Sequence, residues 1–162
     1  MRIYSFQKLR VYQLALDVAQ AVYELTENFP ADELYGVRSQ VRRSAASVAA
    51  NIAEGSGAFS GKEQARFTVM AFRSLLETIQ HIELAERLKY VTHAERVNIS
   101  AGFDKLANLL NAYRKSQLLR DRNSKTAKEA QAPYGHTATT TDSQSENYLD
   151  FPEFWTSDDS AN

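Results

Sequence analysis

The sequence contains no cysteine, which excludes a disulfide framework, a thiolate metal site and a cysteine nucleophile together. The absence also suits a reducing compartment. Histidine and proline number three each and glycine six, and no glycine-rich phosphate loop runs from a strand into a helix. Gly55-Ser56-Gly57 joins two helical segments and reads as a cap and turn. No apolar run approaches the roughly 20 residues that span a bilayer. The opening residues, Met1 to Phe6, lack the long apolar stretch of a secretion signal. The chain is expected in the cytoplasm, with no membrane partner. No segment of useful length alternates apolar and polar residues in the manner of a strand.

Helical periodicity is present instead, in four segments, and it predicts an all-α protein. The first runs from about Ser5 to Asn28 and ends at Phe29-Pro30. Leu9, Leu16, Ala19 and Tyr23 fall on one helical spacing in it, and Val11, Leu14, Val18 and Val22 on another. The second is expected to start at Asp32 as N-cap, with Glu33 in its first turn. It carries Leu34, Val37, Val41, Ala45, Val48 and Ile52 and stops at Gly55 and Gly57, with Gly36 as its weak point. Ser60-x-x-Glu63 and Thr92-x-x-Glu95 are capping boxes for the third and fourth segments. The third is expected to end near Tyr90 on a stripe of Phe67, Ala71, Ser74, Thr78, Ile82 and Ala85, with Met70 and Leu75 beside it. The fourth, with Phe103, Leu106, Leu110 and Tyr113, fades near Arg122. Short connections make successive helices antiparallel, so residues 1–122 should form an up-down-up-down four-helix bundle.

The formal net charge of −1 conceals two unlike parts. All 19 Lys and Arg lie in residues 1–128 against 13 acids, a surplus of six, whereas residues 129–162 hold seven acids and no Lys or Arg. Three basic sets stand out: Arg38 and Arg42; Lys62, Arg66 and Arg73; and Arg114, Lys115, Arg120, Arg122, Lys125 and Lys128. A polyanion surface needs such clustering, because its affinity comes largely from neutralised phosphates and released counterions. Each set alone also reads as a solvated face or as cations complementing a helix dipole. Arg43, Ser47, Asn51 and Glu54 follow at helical intervals, within reach of Glu77 on the next helix. They read as a structural network between helices or subunits, whose buried members need complete partners.

Chemistry is harder to find. Glu77 and His81 lie one turn apart, but the paired Glu-x-x-His motifs of a bundle di-metal site are missing. No Ser-His-Asp arrangement can be argued. The reading is a protein that is not an enzyme and needs no cofactor. Residues 123–162 are expected to be a disordered, low-complexity acidic tail. Within it Tyr148, Phe151, Phe154 and Trp155 form an aromatic cluster suited to docking, on a partner or back on the basic body.

One set of residues is distinctive: Phe29-Pro30, Glu33-Leu34-Tyr35-Gly36, Gln40-Val41-Arg42-Arg43-Ser44-Ala45 and Asn51-Ile52-Ala53-Glu54-Gly55. With Phe6-x-x-Leu9-x-Val11-Tyr12 before and Ser74-Leu75-x-Glu77 after, it resembles the bacterial four-helix bundle proteins of the 23S rRNA intervening-sequence family over about residues 5–115. The resemblance implies a homo-oligomeric ring, typically a pentamer, and kinship with accessory subunits of diversity-generating retroelements. Those bind a reverse transcriptase and nucleic acid through a basic surface. Gln40, Arg43, Asn51, Glu54 and Glu77 match the family pattern. Ala58-Phe59 stand where a basic residue is common, and Arg73 replaces a small one. The first hypothesis is therefore a ring-forming bundle that binds RNA or a ribonucleoprotein, and the alternative is an adaptor for a retroelement reverse transcriptase.

Overall fold

A computed structural model describes residues 4–130. The aromatic cluster of the tail lies outside them. Four helices form the architecture: α1 (Arg10–Leu25), α2 (Val37–Ser56), α3 (Gly61–Arg87) and α4 (His93–Ala130). Each packs on its neighbours in sequence and α4 closes against α1, with no close backbone approach across either diagonal among the described residues. No strand occurs among the described residues. The core is mainly aliphatic: Val22, Val41, Ile52, Leu75, Ile82 and Leu106 are buried, interleaved with Ala15, Ala45, Ala71 and Ala85 and joined by Phe72 and Phe103. Burying each large side chain contributes about 1.5–3 kcal/mol.

The helix boundaries differ from the sequence reading in ways that side chains explain. The first segment is two pieces, a 3-10 turn at Ser5–Lys8 and then α1, because Leu9 is extended (φ −73°, ψ 126°). The Gln7 side chain accepts the Tyr4 N–H at 2.7 Å. Gln13 occupies the Gln7 carbonyl, also at 2.7 Å. The break folds the Phe6 ring onto Tyr12, edge to face, at 5.0 Å.

Asp32 does not cap α2. It lies in a second 3-10 turn, Ala31–Tyr35, which Gly36 separates from the helix. Glu33 takes the role, its carboxylate accepting the Val37 N–H at 2.7 Å and the Tyr90 hydroxyl at 3.1 Å. A Cβ on Gly36 would run into that carboxylate.

α3 begins as expected, with Ser60 Oγ accepting the Glu63 N–H at 3.1 Å. It ends at Arg87, short of Tyr90, in a Schellman motif. The Lys89 and Tyr90 N–H groups bond back to Glu86 and Ala85 at 2.9 and 2.8 Å, and Lys89 takes the left-handed φ of 63°. Tyr90 then packs beside Phe29, Ala85 and Val91 in a small cluster closing that end. The Thr92–Glu95 box is complete in both directions, at 2.8 and 3.3 Å.

Some expected core residues are displaced to the outside. In α1 the buried set is Val11, Ala15, Val18, Ala19 and Val22, whereas Leu16 and Tyr23 stay exposed at 42% and 46%. In α3, Thr68 and Phe72 are buried where Phe67 was expected. α4 does not fade at Arg122 but continues to Ala130.

Candidate nucleic-acid interface

The α4 extension is held by polar contacts the periodicity did not register. Gln117, 1% exposed, meets the Thr68 hydroxyl at 2.8 Å inside the α3–α4 seam. One turn further on, the Asp121 carboxylate accepts the Lys62 N–H at 3.4 Å, at the N-terminus of α3. Burial pushes the Asp121 carboxyl up, but the Lys125 side chain and the α3 amides outweigh it, and the net direction is down. A carboxylate at the positive end of a helix dipole is stabilised in this way. Gly61 permits the approach, since a Cβ there would meet the Gln117 carbonyl and, at 2.8 Å, the Asp121 Cβ. Because α3 starts level with Asp121, the residues from 122 to 130 overhang it by about 13 Å at 1.5 Å per residue.

This geometry sorts the basic sets. Lys62, Arg66 and Arg73 are exposed. Their spacing puts them on one outward face of α3. Lys115, Arg120, Arg122 and Lys125 are exposed on α4 at the same end, with Arg114 half-buried. Lys128 lies in the last turn. Arg42 belongs elsewhere. Its Nε donates to Thr26 Oγ1 at 2.7 Å and a terminal nitrogen to the Tyr23 carbonyl at 3.0 Å. Its guanidinium also lies 4.7 Å from the Tyr23 ring centre. Arg42 thus clamps α2 to the end of α1, and a phosphate would have to displace those bonds. Arg38 is half-buried, and its Nε is buried without a hydrogen-bond partner.

Taken by halves, the bundle is electrically polar along its axis. The half containing the α2–α3 turn spans residues 8–17, 47–73 and 112–125. It carries ten Lys and Arg against four acids, Asp17, Glu54, Glu63 and Asp121. The opposite half, residues 18–46 and 74–111, carries seven against nine. Lys8 and Arg10, which no sequence motif singled out, join the basic half through the antiparallel topology. A groove of about 390 Å³ between α1 and α4 has the wrong sign for a polyanion. Its charged lining is Asp17, Glu24 and Glu95.

The polar stripe of α2 separates into three parts. Arg43 contacts Gln40 at 2.7 Å and Glu77 at 3.5 Å, and Glu77 lies 3.7 Å from His81. The Arg43 and Glu77 side chains are 72% and 45% exposed, so this pair contributes little in water. Deeper in the seam, Asn51 donates to Ser47, whose hydroxyl meets Ser74 at 3.1 Å, and Ser44 meets Thr78 at 3.0 Å. These short hydroxyl side chains let α2 and α3 approach closely while satisfying each other. Glu54 belongs to neither group: it is exposed. It therefore does not join the network expected of it within the described residues. Among the described residues no three His, Asp or Glu side chains converge as metal ligands. No helix there is long and apolar enough to cross a membrane.

The architecture is thus that of a small antiparallel bundle with a basic end. Residues 7–112 match the 23S rRNA-intervening sequence protein family, and the chain belongs to it. Among solved structures it is similar to a protein of unknown function of the S23 ribosomal protein family from Bacteroides thetaiotaomicron. The two share 25% identity and a TM-score of 0.58, over 65% of this chain and 98% of the other. No curated protein matches. The match ends at residue 112. The α4 extension and most of its cations therefore lie beyond the family's span.

Proposed function

We propose that this protein is a non-enzymatic bundle that binds RNA, or RNA within a ribonucleoprotein, through its basic end. The observation that carries the reading is the axial division of charge, which gathers ten cations from three helices and the first 3-10 turn into one half. Phosphates draw affinity from such a surface through counterion release. Length adds to it, because the α4 overhang projects Arg122 and Lys125 past the start of α3. In the same reading the subunits assemble into a homo-oligomeric ring, with five members as the family resemblance implies. Support for assembly comes from exposed apolar side chains on the outer faces, Leu16, Tyr23, Met70 and Leu76, and from the exposed Glu54. Exposed aromatics at Tyr4, Tyr23 and Tyr35 favour a protein partner as the second reading: an accessory role beside a retroelement reverse transcriptase.

The test is direct. Replacing Lys62, Arg66 and Arg73 together by Ala should weaken RNA binding at least tenfold at moderate salt while leaving the circular dichroism melt in place. Undiminished RNA affinity in the triple variant would overturn the reading. Light scattering at micromolar concentration tests the ring separately, against the 18.3 kDa of a monomer.

A further inference from the structure

The most exposed large apolar side chain in the described residues is Phe59, at 104% of its reference area, and it stands inside the basic end. It sits on the turn between α2 and α3, one wall of a cleft of about 320 Å³. The opposite wall is α4 where it enters the overhang, with Arg120, Ser124 and Lys125. The turn is braced rather than loose. Gly57 and Ala58 N–H groups bond to Glu54 and Gly55 carbonyls at 3.0 and 3.1 Å. Gln64 Nε2 reaches the Ala58 carbonyl at 3.1 Å, and Ser60 caps α3. The ring is therefore presented on a fixed support, not left over from a failed attempt to bury it. A phenyl ring in water, carried on a braced turn and facing guanidinium and ammonium groups across the cleft, combines the two elements of single-strand recognition. These are a stacking platform for a base and cations for the phosphates on either side.

We infer that Phe59 and the cleft between the α2–α3 turn and the α4 overhang bind single-stranded RNA, one unpaired base stacking on the Phe59 ring while Arg120 and Lys125 take adjacent phosphates. This rests on the RNA-binding reading and sharpens it to unpaired segments. In a duplex both faces of every internal base are already covered, so only a loop, bulge or end can offer a face to the ring. The single acid in the cleft, Asp121, is engaged with Lys125 at 3.3 Å and with the α3 amides. It leaves the cleft positive overall.

The experiment uses the full-length chain carrying Trp155→Phe, so that a tryptophan introduced at position 59 reports alone. Binding of an unstructured oligouridine of about 12 nucleotides and of a blunt RNA duplex is followed by anisotropy across salt. Phe59→Ala should weaken the single strand about tenfold, as loss of one stacked base does, and leave the duplex within twofold. The slope of log affinity against log salt should not change, because no phosphate contact is lost. Phe59→Tyr should retain binding. Phe59→Trp should emit as a solvated indole and be quenched by the oligouridine but not by the duplex. Equal effects of Phe59→Ala on both RNAs, or none, overturn the stacking site while leaving the RNA-binding reading intact. Blue-shifted emission from the free Phe59→Trp variant, unmoved by RNA, also overturns it and gives the ring to a protein neighbour. Wild-type protein that binds neither RNA removes both proposals.

Discussion

Adding one methyl group at Gly61 should separate the two helices that build the basic end. A Cβ there would lie 2.8 Å from Asp121 Cβ and also against the Gln117 carbonyl, whereas carbon atoms pack at about 3.5–4.0 Å. The obstruction includes backbone, so α4 must retreat by roughly 1 Å. Overpacking of this kind costs about 1–3 kcal/mol. The Lys62–Asp121 bond, at 3.4 Å, has no length to spare, and its loss adds about 1 kcal/mol. Replacing glycine by alanine in a helix returns at most about 1 kcal/mol. Gly61→Ala is therefore expected to destabilise by about 2 kcal/mol. For a domain of this size that lowers the thermal midpoint by roughly 6–10 °C. Gly57→Ala is the control. Gly57 has an ordinary φ of −86°, with its nearest neighbour, the Glu54 carbonyl, at 3.4 Å. Alanine there should be neutral or stabilising by up to about 1 kcal/mol, through the unfolded chain. Both are measured by circular dichroism melting at one fixed protein concentration, since assembly makes the midpoint concentration-dependent. Equal midpoints for the two variants would refute the close contact between α4 and the start of α3.

Thr68→Val should destabilise by about 1–3 kcal/mol, because it leaves the Gln117 amide buried without its partner. Adding Gln117→Leu should recover much of the loss in urea denaturation, and no recovery would mean the pair is not coupled. The Glu86 carboxyl is held below its usual range by the His93 hydrogen bond, against burial and with help from Arg96. Thr92 lowers Glu95 similarly. Both stabilise the fold above the unfolded-state value near 4.3, and the contribution disappears as pH falls through the lowered folded-state values. The midpoint should thus drop below about pH 4, less steeply in Glu86→Gln; identical profiles would contradict the assignment. Removing residues 131–162, six acids with no Lys or Arg, should raise RNA affinity most at low salt, where screening is weakest. Unchanged affinity would make the tail a docking peptide for another protein or a spacer.

Element number and order were legible because the apolar repeat and the capping boxes are local signals. The Ser60 and Thr92 starts follow directly from sequence. Competition between local alternatives was not legible. Asp32 is a better isolated cap than Glu33, yet Gly36 shifts the helix start so that only the longer side chain reaches Val37. Gly55 and Gly57 read as a cap and turn, yet neither takes a left-handed conformation. Gly55 is buried under Phe67, whose Cβ lies 2.6 Å from where a Cβ would stand. The left-handed cap is instead on α3, at Lys89. The basic sets were visible as clusters, but only topology brings the α3 and α4 sets together and takes Arg42 away to a clamp. Phe59 had only a negative signal in sequence, a missing cation. The reach of α4 rests on Gln117 and Asp121, polar residues that no hydrophobic pattern registers.

The central claim, that the basic end engages phosphates, is tested most directly by the salt dependence of RNA affinity in paired triple variants. Lys115, Arg120 and Arg122 are changed together to Gln at the basic end, and Arg87, Lys89 and Lys105 are changed together to Gln in the other half. The two variants lose the same formal charge. Each phosphate contact contributes about 0.7–0.9 to the slope of log affinity against log salt. The first variant should flatten the wild-type slope by about 2 and the second should leave it unchanged. Equal slopes in both variants, or binding insensitive to salt in the wild type, would contradict the account.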